Sequence, residues 1–187
     1  MRIISGNFKG KKILEPKDIK TRPLKDLTKE SIFNIISHSN KFSVQIKDSV
    51  ILDLFSGVGS FGIECLSRGA KHVTFVENYA GVIPILKKNL DNLNINERYE
   101  IINKNIFINL NLIVKEDKFD VIFLDPPYKE KKVASVIDRI LNEKLLKDKG
   151  IIIIHRHKNE DENYSKNFKI LEIKKYGISK IIFGSIS

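Results

Sequence analysis

The sequence predicts an α/β protein with a mostly parallel, seven-stranded sheet, an antiparallel last strand, and a small N-terminal hairpin and helix extension. Three observations carry this. From Val50 onward, short apolar runs alternate with stretches whose apolar residues recur at helical spacing, the signature of strands joined by crossover helices. The final two strand-like runs have no helix between them, so one member must run antiparallel. Residues 1–48 lack this alternation and are basic and interrupted, which sets them apart as an extension ahead of a domain spanning 49–187.

In the extension, residues 2–5 and 11–14 read as two short strands joined around Gly6 and Gly10. A turn at Arg22-Pro23 leads to a helix with Asp26 or Thr28 as N-cap and Leu27, Ile32, Ile35 and Ile36 on its apolar face. In the domain, Val50–Leu54 is an apolar strand, followed by a glycine-rich turn and a helix to about Arg68. His72–Val76 is the second strand. Ile83, Leu86, Leu90 and Leu93 mark the next helix, with Pro84 tolerated in its first turn because no helical N–H is needed there. Residues 100–103 are strand-like and 107–114 a short helix. Phe119–Leu124 is a buried strand, and Val133, Val136, Ile137, Ile140 and Leu141 line a helix. Gly150 precedes a strand at 151–154, and strands at 168–174 and 179–183 flank Tyr176-Gly177.

A chain of 187 residues is the size of one α/β domain, and 42% hydrophobic content supports a single core. The 33 basic residues against 23 acidic give a net charge of +10, which points to a polyanionic partner, since neutralised phosphates release condensed counterions. Codon bias toward Lys, Ile and Asn accounts for part of that excess. Cys65 is the only cysteine, so no intrachain disulfide forms, and its apolar neighbours make it a buried structural thiol. The N-terminal apolar run is too short for a signal peptide, and no stretch approaches eighteen uninterrupted apolar residues, so a cytoplasmic protein without a membrane partner is expected.

The first chemical motif follows the first strand, Asp53-Leu54-Phe55-Ser56-Gly57-Val58-Gly59-Ser60-Phe61-Gly62. Gly57 and Gly59 let the backbone turn sharply and approach a ligand, and Gly62 permits close helix packing. That glycine spacing suits NAD as well as S-adenosylmethionine (SAM). Asp53 favours SAM: a carboxylate at the strand end can bind the cationic amino end of its methionine, where a pyrophosphate would be repelled. The competing role for Asp53 is to cap the next helix. Glu77 ends the second strand, twenty residues beyond Gly57, where it can accept bonds from ribose hydroxyls.

The second motif is Asp125-Pro126-Pro127-Tyr128 after the buried strand Phe119–Leu124. Two prolines fix the backbone so that a carbonyl, that of Pro126, and the Asp125 carboxylate face one point. An exocyclic base amine is a poor nucleophile, because its lone pair is delocalised into the ring. Two acceptors on its N–H groups favour a tetrahedral nitrogen and stabilise the developing positive charge. Tyr128 offers a ring against which an extruded base can stack. Attack through cysteine is disfavoured by the solitary Cys65. His155 and His157 could project from one side of a strand, but no further Cys or His stands nearby and no metal is expected.

Together these residues resemble the RsmD family, bacterial methyltransferases acting on the N2 amine of a guanine in 16S ribosomal RNA. The resemblance spans nearly the whole chain: Arg2-Ile3-Ile4-Ser5-Gly6 with Gly10-Lys11-Lys12, then Arg22-Pro23, then Glu30-Ser31-Ile32-Phe33-Asn34. Asp53 to Gly57, Leu66-Ser67-Arg68-Gly69-Ala70 and Asp125-Pro126-Pro127-Tyr128 complete it. It implies a SAM-dependent, Rossmann-like methyltransferase fold, with Asp53, Phe55, Gly57, Gly59, Glu77 and Asn105 at SAM, Asn105 against the adenine. Asp125, Pro126 and Tyr128 would act on the base. Lys9, Lys11, Lys12 and Arg22 would hold phosphates of 16S rRNA, within a small ribosomal subunit or assembly particle, and the protein would act as a monomer. The chain departs from the family in two places. Leu24, Leu27 and Lys29 stand where a threonine and then arginines are common, and His155 stands where an acidic residue is expected. Two other readings remain open: an N6-adenine methyltransferase on DNA or RNA, and a non-catalytic RNA-binding assembly protein. Glutamine methylation of a protein would also suit the second motif, although the basic opening favours RNA.

Overall fold

A computed structural model describes residues 1–16, 24–107, 118–161 and 163–187. The strands are β1 (Val50–Leu54), β2 (His72–Val76), β3 (Tyr99–Ile102), β4 (Phe119–Leu124), β5 (Leu146–His157), β6 (Phe168–Tyr176) and β7 (Ser179–Ile186). They form one sheet in the order β3-β2-β1-β4-β5-β7-β6. Pairing is parallel from β3 to β5, and β7 runs antiparallel to both of its neighbours. The helices are α1 (Asp26–His38), α2 (Ser60–Ser67), α3 (Ile83–Asp91) and α4 (Val133–Asn142).

Period-two alternation along the strands splits the core between the two faces of the sheet. Ile51, Val121, Phe123, Ile151 and Ile153 face one way, onto residues of α1, α2 and α3. Leu52, Leu54, Ile122, Leu124, Ile152 and Ile154 face the other way, onto Val133, Val136, Ile137 and Ile140 of α4. Strands buried on both faces explain why β1, β4 and the middle of β5 read as continuous apolar runs. Cys65 is wholly buried, and burial pushes its thiol well above its ordinary range, so it is inert packing.

The opening segment differs in detail from the expected hairpin. Residues 2–5 and 11–14 are joined by a single antiparallel bridge, Arg2 to Lys12, and are not regular strands. The amides of Ile3 and Ile13 bond across the two segments, to the carbonyls of Lys11 and Met1, while others turn to α2 and α3. Glu64, fully buried, accepts from Ile4 N–H at 2.8 Å and Ser5 N–H at 2.9 Å. Ser67 Oγ accepts from Phe8 N–H, and Asn89 on α3 bonds both N–H and C=O of Leu14. Ile3 and Ile13 thereby join the same core cluster as Ile51 and Phe61.

α1 also corrects two expectations. Lys25 occupies the N-cap with no side-chain bond, so neither Asp26 nor Thr28 caps the helix, and Asp26 is its first residue. Leu27 is 79% exposed, and the buried face is Thr28, Lys29, Ile32, Phe33 and Ile36. Lys29 is driven inward by partners that its hydrophobic neighbours could not advertise. Its Nζ donates to Arg2 C=O at 2.8 Å and Ser60 Oγ at 3.3 Å, with Glu64 at 3.8 Å. Burial pulls its pKa down, opposed by the charges of Glu64 and Asp26. The expected turn at Arg22-Pro23 and all but the first residue of the helix expected at 107–114 lie outside the described residues. β3 begins one residue earlier than expected and ends at Ile102, α3 ends before Leu93, and β5 extends through Gly150 in both directions.

Candidate active site at the carboxyl edge of the sheet

The chain connects outward from β1 to β2 and β3 on one side, whereas β4 and β5 lie on the other. Strand order therefore reverses between β1 and β4, and a crevice opens beyond their carboxyl ends. A cavity of about 450 Å³ sits there. Its walls include Asp53, Phe55, Gly57 and Glu77 from the first motif and the end of β2, and Asp125, Pro126 and Tyr128 from the second motif. The two motifs are far apart along the chain and meet because β1 and β4 are parallel neighbours, with Asp53 beside Phe123 and Leu54 beside Leu124. Pro16 and Leu24 form part of the rim.

Asp53 is 1% exposed, and its Oδ2 accepts from Gly62 N–H at 3.0 Å. It thus satisfies an amide in the first turn of α2 while also lining the cavity. Burial raises its carboxyl pKa well above the ordinary value, the Gly62 bond opposes this, and the charges of Asp125 and Glu77 raise it further. Three acidic groups around one cavity in a protein of net charge +10 suit a cationic ligand and repel a pyrophosphate.

Glu77 fixes the glycine loop. Its Oε2 accepts from Gly57 N–H at 2.8 Å, and its Oε1 from the N–H groups of Asn78 and Tyr79 at 2.9 and 2.8 Å. Carboxylate oxygens offer about four lone-pair sites between them, which leaves capacity for a hydroxyl. Gly57 has φ +54° and an open space where a side chain would project, as close approach of a ligand requires. Gly59 has φ +84°, a conformation that favours glycine, and a Cβ there would also lie 2.5 Å from Leu86 Cδ1 of α3. Phe55 also sits at positive φ, +59°, unusual for a bulky residue, with its ring tilted on Phe107 at 5.6 Å. Asn105 and Gly59 are not among the residues lining the cavity. The Asn105 side chain accepts from Phe107 N–H at 2.9 Å, shaping the turn after β3.

Beneath the cavity Phe61 stacks on Phe123 at 4.0 Å and on Phe33 at 5.2 Å, joining α2, β4 and α1 in one aromatic column. This close-packed floor holds both motifs at a constant separation.

The second motif is held by residues to which the sequence alone assigned no role. Arg156, fully buried on β5, donates to Pro127 C=O at 3.1 Å and Glu130 C=O at 2.7 Å, and its guanidinium lies 3.7 Å from Glu160. His155 Nδ1 lies 2.8 Å from Asp125 Oδ1. Tyr128 shares a hydrogen bond with Ser179 Oγ at 2.9 Å, and its ring meets those of His155 and His157 edge-on at 6.2 and 5.1 Å. A cation two positions beyond the apolar run at 151–154 of β5 was the available signal for Arg156, because a buried guanidinium requires acceptors.

Lys9, Lys11 and Lys12 are exposed on the opening segment. Lys11 Nζ lies over the Phe8 ring and donates to Asn92 C=O at 3.2 Å. Arg22 is outside the described residues. None of these lysines lines the cavity. Among the described residues no helix is long and apolar enough to cross a membrane.

A family model described as "Conserved hypothetical protein 95" matches residues 1–185. A protein of Haemophilus influenzae named "Ribosomal RNA small subunit methyltransferase D" is 35% identical over 179 residues, covering 95% of this chain and 90% of its own length. A protein of the same name from Buchnera aphidicola subsp. Acyrthosiphon pisum is 35% identical over 172 residues, covering 92% and 86%. The solved structure of yhhF from Escherichia coli aligns with TM-score 0.83 and 25% identity, over 100% of this chain and 98% of that one.

Proposed function

The chain belongs to the RsmD family, whose model bears the description just given, and on that premise we propose that it transfers a methyl group from SAM to the N2 amine of a guanine in small-subunit ribosomal RNA. The observation that carries the chemistry is the convergence of Asp53 and Asp125 on one carboxylate-lined cavity from opposite sides of the strand-order reversal. The fit to SAM rests on the acidic donor set and on the open space at Gly57. When bound, SAM supplies an electrophilic methyl group on a sulfonium. Asp53 would hold its ammonium, and Glu77 a ribose hydroxyl through the lone pair not used by backbone amides.

On the other side of the cavity, Asp125 and the Pro126 carbonyl accept the two amine N–H bonds. They draw electron density toward nitrogen as its lone pair leaves conjugation and positive charge develops. Tyr128, steadied by Ser179, presents its ring to the extruded base. The methylated nitrogen then loses one proton, for which the Asp125 carboxylate is the acceptor at hand. The relatives are named for small-subunit rRNA, and the exposed lysines of a cationic protein support the same substrate here.

The test is nucleoside mass analysis of small-subunit rRNA from cells with and without the gene. Loss of one N2-methylguanosine is expected. Loss of N6-methyladenosine instead would reassign the base, and an unchanged nucleoside profile would remove rRNA as the substrate.

The opening segment leads to Pro16 at the cavity rim, which supports a role for Lys9, Lys11 and Lys12 in holding RNA that flanks the target. Replacing all three with alanine is expected to flatten the salt dependence of RNA binding by about one slope unit for each phosphate no longer neutralised. SAM affinity should be unchanged, because none of the three lines the cavity. Binding measured at several salt concentrations checks this, and an unaltered slope would mean that another surface holds the RNA.

A further inference from the structure

We propose that His155 is a positioning residue for methyl transfer, holding the Asp125 carboxylate in the orientation that engages the base amine; this rests on the role given to Asp125 above. Parallel pairing of β4 with β5, Leu124 beside Ile154, puts the next residues of each strand side by side on the same face. Asp125 is one of these and His155 the other. The resulting contact is short, 2.8 Å from Nδ1 to Oδ1, and His155 is only 2% exposed. An ionised carboxylate only accepts, so Nδ1 must carry the hydrogen and donate it.

That bond has one consequence for the reaction: it restrains rotation of the carboxylate about its Cβ–Cγ bond, so the carboxylate keeps one orientation relative to Pro126. His155 is itself fixed from the outside. The ring of Tyr128 lies edge-on to it, and on β7 it is paired with apolar Ile181. Charged and titratable groups beside it include Asp125 and Tyr128 on the loop after β4, and Arg156 and His157 on its own strand. Arg156 is committed to Pro127 and Glu130 carbonyls, so it steadies the loop's backbone while His155 steadies its carboxylate. The chemistry does not require a carboxylate at position 155. It requires a hydrogen-bond donor to Asp125, and histidine supplies one.

Replacement variants separate donor from bulk. His155→Asn keeps an amide N–H near the place of Nδ1–H, whereas His155→Leu fills the space without a donor. His155→Leu is expected to lower kcat roughly ten- to a hundredfold, the effect of losing one hydrogen bond to a charged group. The Kd for SAM and the KM for RNA should stay near wild type, and His155→Asn should recover most of kcat. Wild-type kcat in His155→Leu would overturn the proposal. Equal losses in the Asn and Leu variants would also overturn it, because the donor would then be irrelevant. Should the Leu variant fail to fold, His155→Ala takes its place as the variant without a donor, with the same expected loss and with wild-type kcat overturning the proposal. Asp125→Ala, assayed alongside, distinguishes the two levels. If that variant keeps its turnover, the role of Asp125 fails; if it loses turnover while His155→Leu does not, only the role of His155 fails.

Discussion

Asp125→Ala should bind SAM about as well as the wild type and lose turnover by roughly a hundredfold or more, comparable to removing one preorganised electrostatic group. The asymmetry follows from where the residue sits. Asp125 is on the β4 side of the cavity, and the groups assigned to SAM are on β1, on the loop between β1 and α2, and just past the ends of β2 and β3. Truncation leaves Arg156 bonded to Pro127 and Glu130, so the loop backbone should survive. What disappears is the acceptor for an amine whose nitrogen becomes cationic only in the transition state. Single-turnover assays with RNA, beside calorimetry with SAM, measure the two quantities separately. Near-normal turnover would take this loop out of the mechanism.

Asp53→Asn is expected to weaken SAM binding by about 1.5–3 kcal/mol, the value of a hydrogen bond to a charged group, which is roughly a ten- to hundredfold rise in Kd. The same substitution should raise the melting temperature of the free protein near neutral pH. Burial raises the carboxyl pKa of Asp53 in the folded state, with Asp125 and Glu77 adding to the effect. A folded pKa above the unfolded one means that the folded protein holds its proton more tightly. Stability from this group is therefore present below the ordinary carboxylate range and is lost as pH rises toward the raised value. Asparagine removes that loss and can still accept from Gly62 N–H. Binding should respond in the opposite direction: the ammonium of SAM needs the ionised carboxylate, so wild-type affinity falls on acidification as protons compete. In Asp53→Asn that part of the pH dependence should vanish. Calorimetry across acidic to neutral pH, paired with thermal melts, reads both effects. Unchanged affinity in a folded variant would refute the assignment.

The sheet was legible because its strands are apolar on both faces and its helices repeat at a period that strands cannot imitate. β1, β2 and β4 have the bounds expected from their runs. The antiparallel direction of β7 followed from the missing helix before it. The cavity-lining positions of both motifs were legible too, since glycines and prolines impose backbone geometry locally. What was not legible depends on neighbours distant in sequence. Lys29 looks like a surface residue of an amphipathic helix until Glu64 and Arg2 C=O are brought to it. Leu27 looks like core, but the face of α1 that docks runs through Thr28, Lys29, Ile32, Phe33 and Ile36 and leaves it outside. His155 and Arg156 acquire partners only through the register of β4 with β5. Gly59 was legible as a turn glycine, which its φ of +84° requires, but the closeness of Leu86 across the fold was not.

The attachment of the opening segment to α2 and α3 also sets an order of events during synthesis. Ile4 and Ser5 are made well before their partner: the carboxylate that receives their amides follows about sixty positions later, and the side chain of Asn89 that receives Leu14 later still. Until then the segment has no partner for these groups except water, and closing such long loops is slow relative to forming local helices. Chains growing from the N-terminus normally complete local units as they emerge. Here a segment made early waits for later partners, so the native contacts of the stretch that carries Lys9, Lys11 and Lys12 require a polypeptide whose glycine loop and α3 have already been made.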